Sequence, residues 1–195
     1  MELQEYIKLA TRTESRIDKV VVNPNLLINL IYLFTASGHM LDQVKKHVFY
    51  GKEYDVNDFT LQYQRCDSAL RGLNNIRVNG TSEEMGEEEE DINPRLFHAI
   101  IGIATESTEM CDAMFKVLAE RKELDLVNTR EEIGDMFWYM AIFYDTIREL
   151  GATDSWEDDL KRNINKLRKR YPDKFSQESA LERNLDEERK ELEFD

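Results

Sequence analysis

Residues 94–118 read PRLFHAIIGIATESTEMCDAMFKVL, and this stretch decides the fold prediction. Its apolar residues recur at helical spacing, and the preceding Asn93 and Pro94 mark the start of a helix. Two acids, Glu106 and Glu109, stand one turn apart inside this apolar pattern. The stretch therefore predicts a long helix that carries two carboxylates where an apolar face is expected to be buried.

The rest of the chain follows the same helical pattern. Its 195 residues include only 3 prolines and 8 glycines, and few segments alternate with the period of two that strands show. With 41% hydrophobic residues the chain is able to bury a core. We predict an all-α helical bundle with helices near residues 2–14, 24–49, 58–76, 94–121, 129–150, 155–170 and 176–192.

Residues 23–56 and 93–126 are two copies of one unit. Shifting the chain by 70 positions aligns them without a gap and gives 12 identities, where chance supplies about two. We therefore predict a tandem duplication. The predicted domains are an N-terminal helix with a degenerate repeat (1–79), an acidic linker (80–93) and a second repeat with a basic and a charged helix (94–195).

The acids belong to the second copy alone. A second pair of acids, at the same spacing as the first, occurs in EEIGDMFWYM, residues 131–140. The four acids Glu106, Glu109, Glu132 and Asp135 align with Ala36, His39, Gln62 and Arg65. We interpret the first copy as structural and the second as chemical.

The acids of the second copy predict a metal site. Antiparallel packing of their two helices would bring four carboxylates together, and they would repel one another or take up protons unless a cation bound them. An all-oxygen ligand set favours Mg²⁺, or Mn²⁺, over zinc. A di-iron site is the rival, but it needs Glu-x-x-His pairs that these segments lack. The alternative is that each pair lies on a solvated helix face.

Other residues are candidates for contact with a ligand. Tyr139 shares the helical stripe of Glu132 and Asp135, while His98 is either a core residue or a ligand contact. The stretch KRNINKLRKRYPDKF, residues 161–175, is the one strongly basic segment of the chain. Its side chains at helical spacing would suit phosphate oxygens, or would pair with the acidic surface: Asn163, Lys166 and Arg170.

The formal net charge of −14 argues against nucleic acid and anionic membranes as partners. The most apolar run, LLINLIYLFTA, is too short to cross a bilayer. Two cysteines without metal-ligand spacing favour a reducing compartment. We expect a soluble protein of the cytoplasm.

Four elements occur here in a specific order: EYIKLATRTES, E-x-x-E, E-E-x-x-D-x-x-x-Y and N-x-x-K-L-x-x-R-Y-P. In this the chain resembles the MazG-like all-α nucleoside triphosphate pyrophosphohydrolases, particularly the phage-type members. It departs from them in carrying Thr108 where a glycine is common and in keeping the KKHVFYGKEYD segment in the first copy. The resemblance implies Mg²⁺ on Glu106, Glu109, Glu132 and Asp135, phosphates on Lys116, Asn163, Lys166 and Arg170, and sugar or base near Tyr139.

The function that this resemblance implies is Mg²⁺-dependent hydrolysis of a nucleoside triphosphate, a (d)NTP, to the monophosphate and pyrophosphate, in control of the nucleotide pool. The same enzyme acting on (p)ppGpp is one alternative, and a non-enzymatic helical interaction protein is another. We expect a homodimer, with a monomer as the alternative, in the cytoplasm of the host if the chain is phage-encoded.

Overall fold

The computed structural model describes residues 1–79, 86, 88–172 and 174–192. Helices dominate it, which confirms the all-α prediction. A single turn of 3₁₀-helix at Thr11–Thr13 continues the first helix. The helices are α1 (Leu3–Ala10), α2 (Pro24–Tyr50), α3 (Val56–Asn79), α4 (Pro94–Glu120), α5 (Leu126–Glu149), α6 (Trp156–Arg170), α7 (Gln177–Leu181) and α8 (Leu185–Lys190).

Two predicted segments differ from the structure. The predicted helix at 176–192 is two short helices, because Ser176 and Asn184 each accept a backbone N–H with their side chains and so start a new helix. The predicted linker is partly ordered: Glu88–Glu90 forms strand β2, which pairs with strand β1 at Val20–Val22. Residues 80–85 and 87 of that linker lie outside the described residues.

The two predicted repeats have helices of equal length. We call α2 with α3 the first hairpin and α4 with α5 the second hairpin. Helices α2 and α4 each have 27 residues, α3 and α5 each have 24, and both pairs begin 70 positions apart. Asn23 and Asn93 occupy the same N-cap position, where each side chain accepts backbone N–H groups and a proline follows.

The chain divides into two units that differ from the predicted domains. Unit 1 comprises Met1–Val20 and Asp91–Leu160, and unit 2 comprises Val21–Glu90 and Lys161–Asp195. The first helix thus groups with the second hairpin, because its apolar face packs on α5. Ile7 and Ala10 of α1 form a buried cluster with Ala141 and Trp156.

Polar contacts hold the N-terminal segment to the second hairpin. The indole N–H of Trp138 donates to the carbonyl of Ala10 at 3.0 Å and to the hydroxyl of Thr13 at 2.9 Å. The guanidinium of Arg95 donates to Glu14 and to Asp145 at 2.7–2.8 Å. The side chain of Glu14 is fully buried, and a buried carboxylate of this kind needs such a partner.

Among the described helices, none has both the length and the apolar composition that crossing a membrane requires.

Candidate metal centre

Three carboxylates converge between the two helices of the second hairpin. Glu106 and Glu109 lie one turn apart on α4, and Glu132 lies on α5. One oxygen from each lies within 4.8 Å of the other two. Glu106 and Glu132 are buried, with 8% and 5% of their surface exposed, whereas Glu109 is exposed. The predicted meeting of acids from these two helices is therefore present for three of the four residues.

Burial and mutual repulsion make this group electrostatically unfavourable as three anions. The pKa of Glu106 is raised, first because burial disfavours its charged form, and then because it contacts Glu132 and faces the charges of Glu109 and Asp135. A shared proton or a bound cation would relieve the repulsion. The three glutamates could hold a metal ion, because oxygen ligands from two helices already lie at distances that one cation can bridge.

The predicted fourth ligand, Asp135, does not join this group. Its side chain is exposed, and the group of oxygens within 4.8 Å contains only the three glutamates. Asp135 is one turn from Glu132, the same spacing as Glu109 from Glu106, so the rotation of α5 about its axis, rather than the spacing, leaves Asp135 outside the group. The charge of Asp135 still reaches the centre, since it raises the pKa of Glu106 and Tyr139.

An amide orients the most buried member of the group. The side-chain N–H of Asn128 donates to an Oε of Glu132 at 2.7 Å, one turn back on the same helix. This hydrogen bond holds the carboxylate of Glu132 in one orientation. Glu131, which precedes Glu132 in sequence, is exposed.

A cleft of about 300 Å³ lies in the same unit, beside the start of α4. Gly102 forms part of its floor, and Tyr139 packs so closely there that a Cβ on Gly102 would lie 2.1 Å from the phenol ring. The ring of His98 contacts that of Tyr139 edge to face, with centroids 5.4 Å apart. Thr105 lines the cleft and precedes Glu106 in sequence, so this side of the cleft is the one nearest the acids. An apolar cleft with a few polar groups suits a small organic ligand.

The residues predicted to contact a ligand lie in different parts of the structure. Tyr139 and His98 both line the cleft. Lys116 is exposed and pairs with Asp112 at 2.6 Å, one turn away on its own helix. Three further residues lie on α6 within unit 2, so their assignment to phosphate binding stays a prediction: Asn163, Lys166 and Arg170.

Three residues of this site were not singled out from the sequence as functional candidates. Tyr6 of α1 lies near enough to Asp135 for that charge to raise its pKa, although burial is the larger cause. Arg16 and Arg95 line the cleft. Tyr6 and Arg16 lie in or beside EYIKLATRTES, the first matching element, so that segment carried a signal. The position of Arg95 depends on its contacts with Glu14, which the sequence does not reveal.

Comparison of the chain with models of protein families, with curated proteins and with solved structures gave no match in any of the three.

Proposed function

We propose that this protein hydrolyses nucleoside triphosphates to the monophosphate and pyrophosphate with Mg²⁺ as cofactor. The observation that carries the proposal is the group of three glutamates in the second hairpin, next to an apolar cleft lined by aromatic side chains. A metal-binding acid group suits the triphosphate, and the cleft suits the nucleoside. The resemblance to MazG-like enzymes supplies the reaction type.

Mg²⁺ is the cation that the donor set favours. All three side chains offer carboxylate oxygens, and neither cysteine nor histidine belongs to the group. Hard oxygen donors suit Mg²⁺ or Mn²⁺, whereas zinc prefers nitrogen and sulfur. Glu106, Glu109 and Glu132 would hold the ion, and Asp135 at the rim would add negative charge.

When bound, the cation would neutralise phosphate charge and lower the pKa of water. The protein would supply position and a proton acceptor. Asn128 keeps Glu132 turned toward the cluster, while Tyr139 and His98 form the wall against which a base would pack. Glu106 and Glu109 are the two candidates for the carboxylate that accepts a proton from the attacking water.

A nucleotide panel tests the proposal. We expect release of pyrophosphate from at least one NTP or dNTP with Mg²⁺, and none with EDTA. Glu109→Gln and Glu132→Gln should each abolish turnover while the helical circular dichroism spectrum is retained. His39→Gln, at the position of the first hairpin that aligns with Glu109, is the matched control and should remain active. Absence of turnover for every nucleotide, including (p)ppGpp, with folded protein would reject the proposal.

A second candidate is a helical interaction protein without catalytic activity. Such a protein requires an exposed apolar face, and large apolar side chains of α2 are exposed, among them Val48 at 65% and Phe49 at 66%. Surfaces of this kind mark interaction sites. The same face would serve the predicted homodimer. The variant Phe49→Ser distinguishes an interaction surface from a dimer interface. Its mass is measured by size-exclusion chromatography with light scattering, and a variant that is monomeric but still active assigns the face to dimerisation.

A further inference from the structure

The cleft beside the start of α4 has two ends of different chemistry. Thr105 lines the end nearest the acids, and Arg16 and Arg95 line the other end. Arg95 and Thr105 are ten residues apart on α4, which is about 15 Å along the helix axis. All of the lining residues belong to unit 1. A nucleotide whose phosphates meet the glutamates would therefore place its base near the arginines.

The guanidinium of Arg95 is already occupied by acids. It donates to both oxygens of Glu14 at 2.7 and 2.8 Å, to Asp145 at 2.8 Å and to Glu149 at 2.6 Å. Its side chain is only 11% exposed. Arg95 therefore holds these acids in place and has little hydrogen-bonding capacity left for a ligand.

Arg16 is held by the same acids, but most of its donors are not used. Its Nε donates to Glu14 at 3.2 Å, and its Nη2 lies 3.9 Å from Asp145, which is too far for a hydrogen bond. Within the part of the chain that the structure describes, neither Nη1 nor Nη2 forms a hydrogen bond. The side chain is 54% exposed, and the carboxylate that orients it is fully buried. Arg16 thus brings unpaired N–H groups to this end of the cleft.

The charges at this end balance one another. The ion pairs join three arginines to three acids: Arg16, Arg95, Arg148, Glu14, Asp145 and Glu149. A network without net charge attracts a triphosphate weakly, and a cation at the three glutamates would supply that attraction instead. The N–H groups of Arg16 suit a neutral ligand group that offers hydrogen-bond acceptors, such as the edge of a base.

The fork of N–H groups on an arginine selects among bases. Guanine presents two neighbouring acceptors, O6 and N7, and accepts such a fork with both. Adenine presents its 6-amino group in place of O6, so a donor would face a donor and lose its partner. The cleft of about 300 Å³ falls in the range of sites for small ligands, and its aromatic rings suit a purine: His98 and Tyr139.

We propose that Arg16 is a specificity-determining residue that makes this protein prefer guanine to adenine nucleotides. The inference rests on the proposed function, which assigns the cleft to a nucleoside. Hypoxanthine carries the same O6 and N7 acceptors, so it should be bound as guanine is.

Calorimetric titration with dGMP and with dAMP, in EDTA, measures this preference without turnover. We expect the wild type to bind dGMP roughly tenfold more tightly. Arg16→Ala should make the two affinities equal, and Arg16→Gln should favour dAMP, because glutamine pairs with N6 and N7 of adenine. Glu14 keeps its hydrogen bonds from Arg95 in both variants, so both should keep the helical circular dichroism spectrum.

Arg12→Gln is the matched control. Arg12 is an exposed arginine of the same segment and does not line the cleft, so this variant should keep the wild-type preference. With Mg²⁺, the ratio of kcat/KM for dGTP and dATP should change in the same direction in each variant. The analogue 7-deaza-dGTP, which lacks the N7 acceptor, should lie between dGTP and dATP.

Three results would overturn the proposal. The first is equal affinity of the wild type for dGMP and dAMP, including no binding of either at millimolar concentration. The second is a preference for dGMP that persists in Arg16→Ala. The third is an equal loss of affinity for both nucleotides in Arg16→Ala, since that assigns Arg16 to the phosphate. A preference for dGMP in a protein that hydrolyses no nucleotide would reject the proposed function and support the role of Arg16.

Discussion

The two hairpins have the same helix lengths, but the acidic and amide residues between their helices occupy exchanged positions. In the second hairpin the side-chain amide of Asn128 donates a hydrogen bond to the carboxylate of Glu132 at 2.7 Å. At the aligned positions of the first hairpin the roles are exchanged, and Gln62 donates to Asp58 at 2.9 Å. Arg65, which aligns with Asp135, donates to Gln62 and lies over the ring of Tyr32. The first hairpin thus pairs these polar groups with one another, whereas the second leaves a group of acids that repel one another unless they share a proton or bind a cation.

Side-chain sizes are exchanged between the hairpins as well. Gly102 of α4 lies against Tyr139 of α5, and the aligned residues of the first hairpin are Tyr32 and Ala69. The large residue has moved from one helix to the other, so the pair keeps a similar total volume. The two hairpins therefore keep the same helix lengths while their interiors differ in compensated pairs.

Converting the second interior into the first should have the largest effect. The variant Glu106→Ala, Glu109→His, Glu132→Gln removes the three metal-binding candidates. We expect turnover to fall at least about 10³-fold and metal-free thermal stability to rise, because the buried like charges are gone. Turnover and thermal unfolding with and without Mg²⁺ check both. Unchanged stabilisation by Mg²⁺ would show that the two interiors do not differ in metal binding.

Gly102→Ala tests the exchange of sizes. The new Cβ would lie 2.1 Å from the ring of Tyr139, and we expect a loss of about 2–3 kcal/mol in the free energy of unfolding. The additional change Tyr139→Ala should remove the clash. Gly134→Ala is the control, since no atom lies within 4 Å of its Cβ position, and there we expect a gain of about 0.5–1 kcal/mol. Urea unfolding measures all three; a neutral Gly102→Ala contradicts the packing argument.

The ends of α2 and α4 predict a pair of changes with opposite signs. Gly51 and Arg121 occupy the same left-handed C-cap position, with φ of 66° and 57°. Glycine adopts this conformation without steric cost, whereas arginine adopts it at a steric cost from its Cβ. Arg121→Gly should therefore stabilise by about 1 kcal/mol and Gly51→Ala should destabilise by a similar amount. Thermal unfolding measures both variants. If both substitutions stabilised the protein, or both destabilised it, the two C-caps would not be equivalent.

The smallest expected effect is a pH dependence that arises from Glu106 of the second hairpin. The folded protein raises the pKa of Glu106, so folding favours its protonated form. The contribution is present below the ordinary carboxyl pKa and is lost as pH rises through the higher folded value. Metal-free wild type should lose stability across this range relative to Glu106→Gln, as measured by urea unfolding at several pH values. Gln62→Ala is the control that should keep the wild-type slope.

The long helices were predictable, and the arrangement around them was less so. Asn-Pro starts and the apolar period fixed α2 and α4 closely, because those signals are local. The β pairing of Glu88–Glu90 had no signal, since acidic residues are poor strand formers. The grouping of α1 with the second hairpin depends on tertiary packing, which repeats along the chain do not reveal.

The group of three glutamates was predicted to the accuracy that helical spacing allows. Spacing placed Glu106 and Glu109 on one stripe and Glu132 on the facing helix, and these three do meet. Spacing alone does not specify the rotation of α5 about its axis, and that rotation leaves Asp135 exposed.

The hydrogen bond from Trp138 to Ala10 has a consequence for biosynthesis, because 128 positions of chain separate its two ends. At ordinary translation rates, roughly ten seconds pass between synthesis of the two residues. During that time the first hairpin is completed while α1 has emerged without its docking surface. Helix α1 is therefore made before the surface on which it packs and reaches its final position late, so a nascent chain stalled before residue 130 would leave it accessible to chaperones.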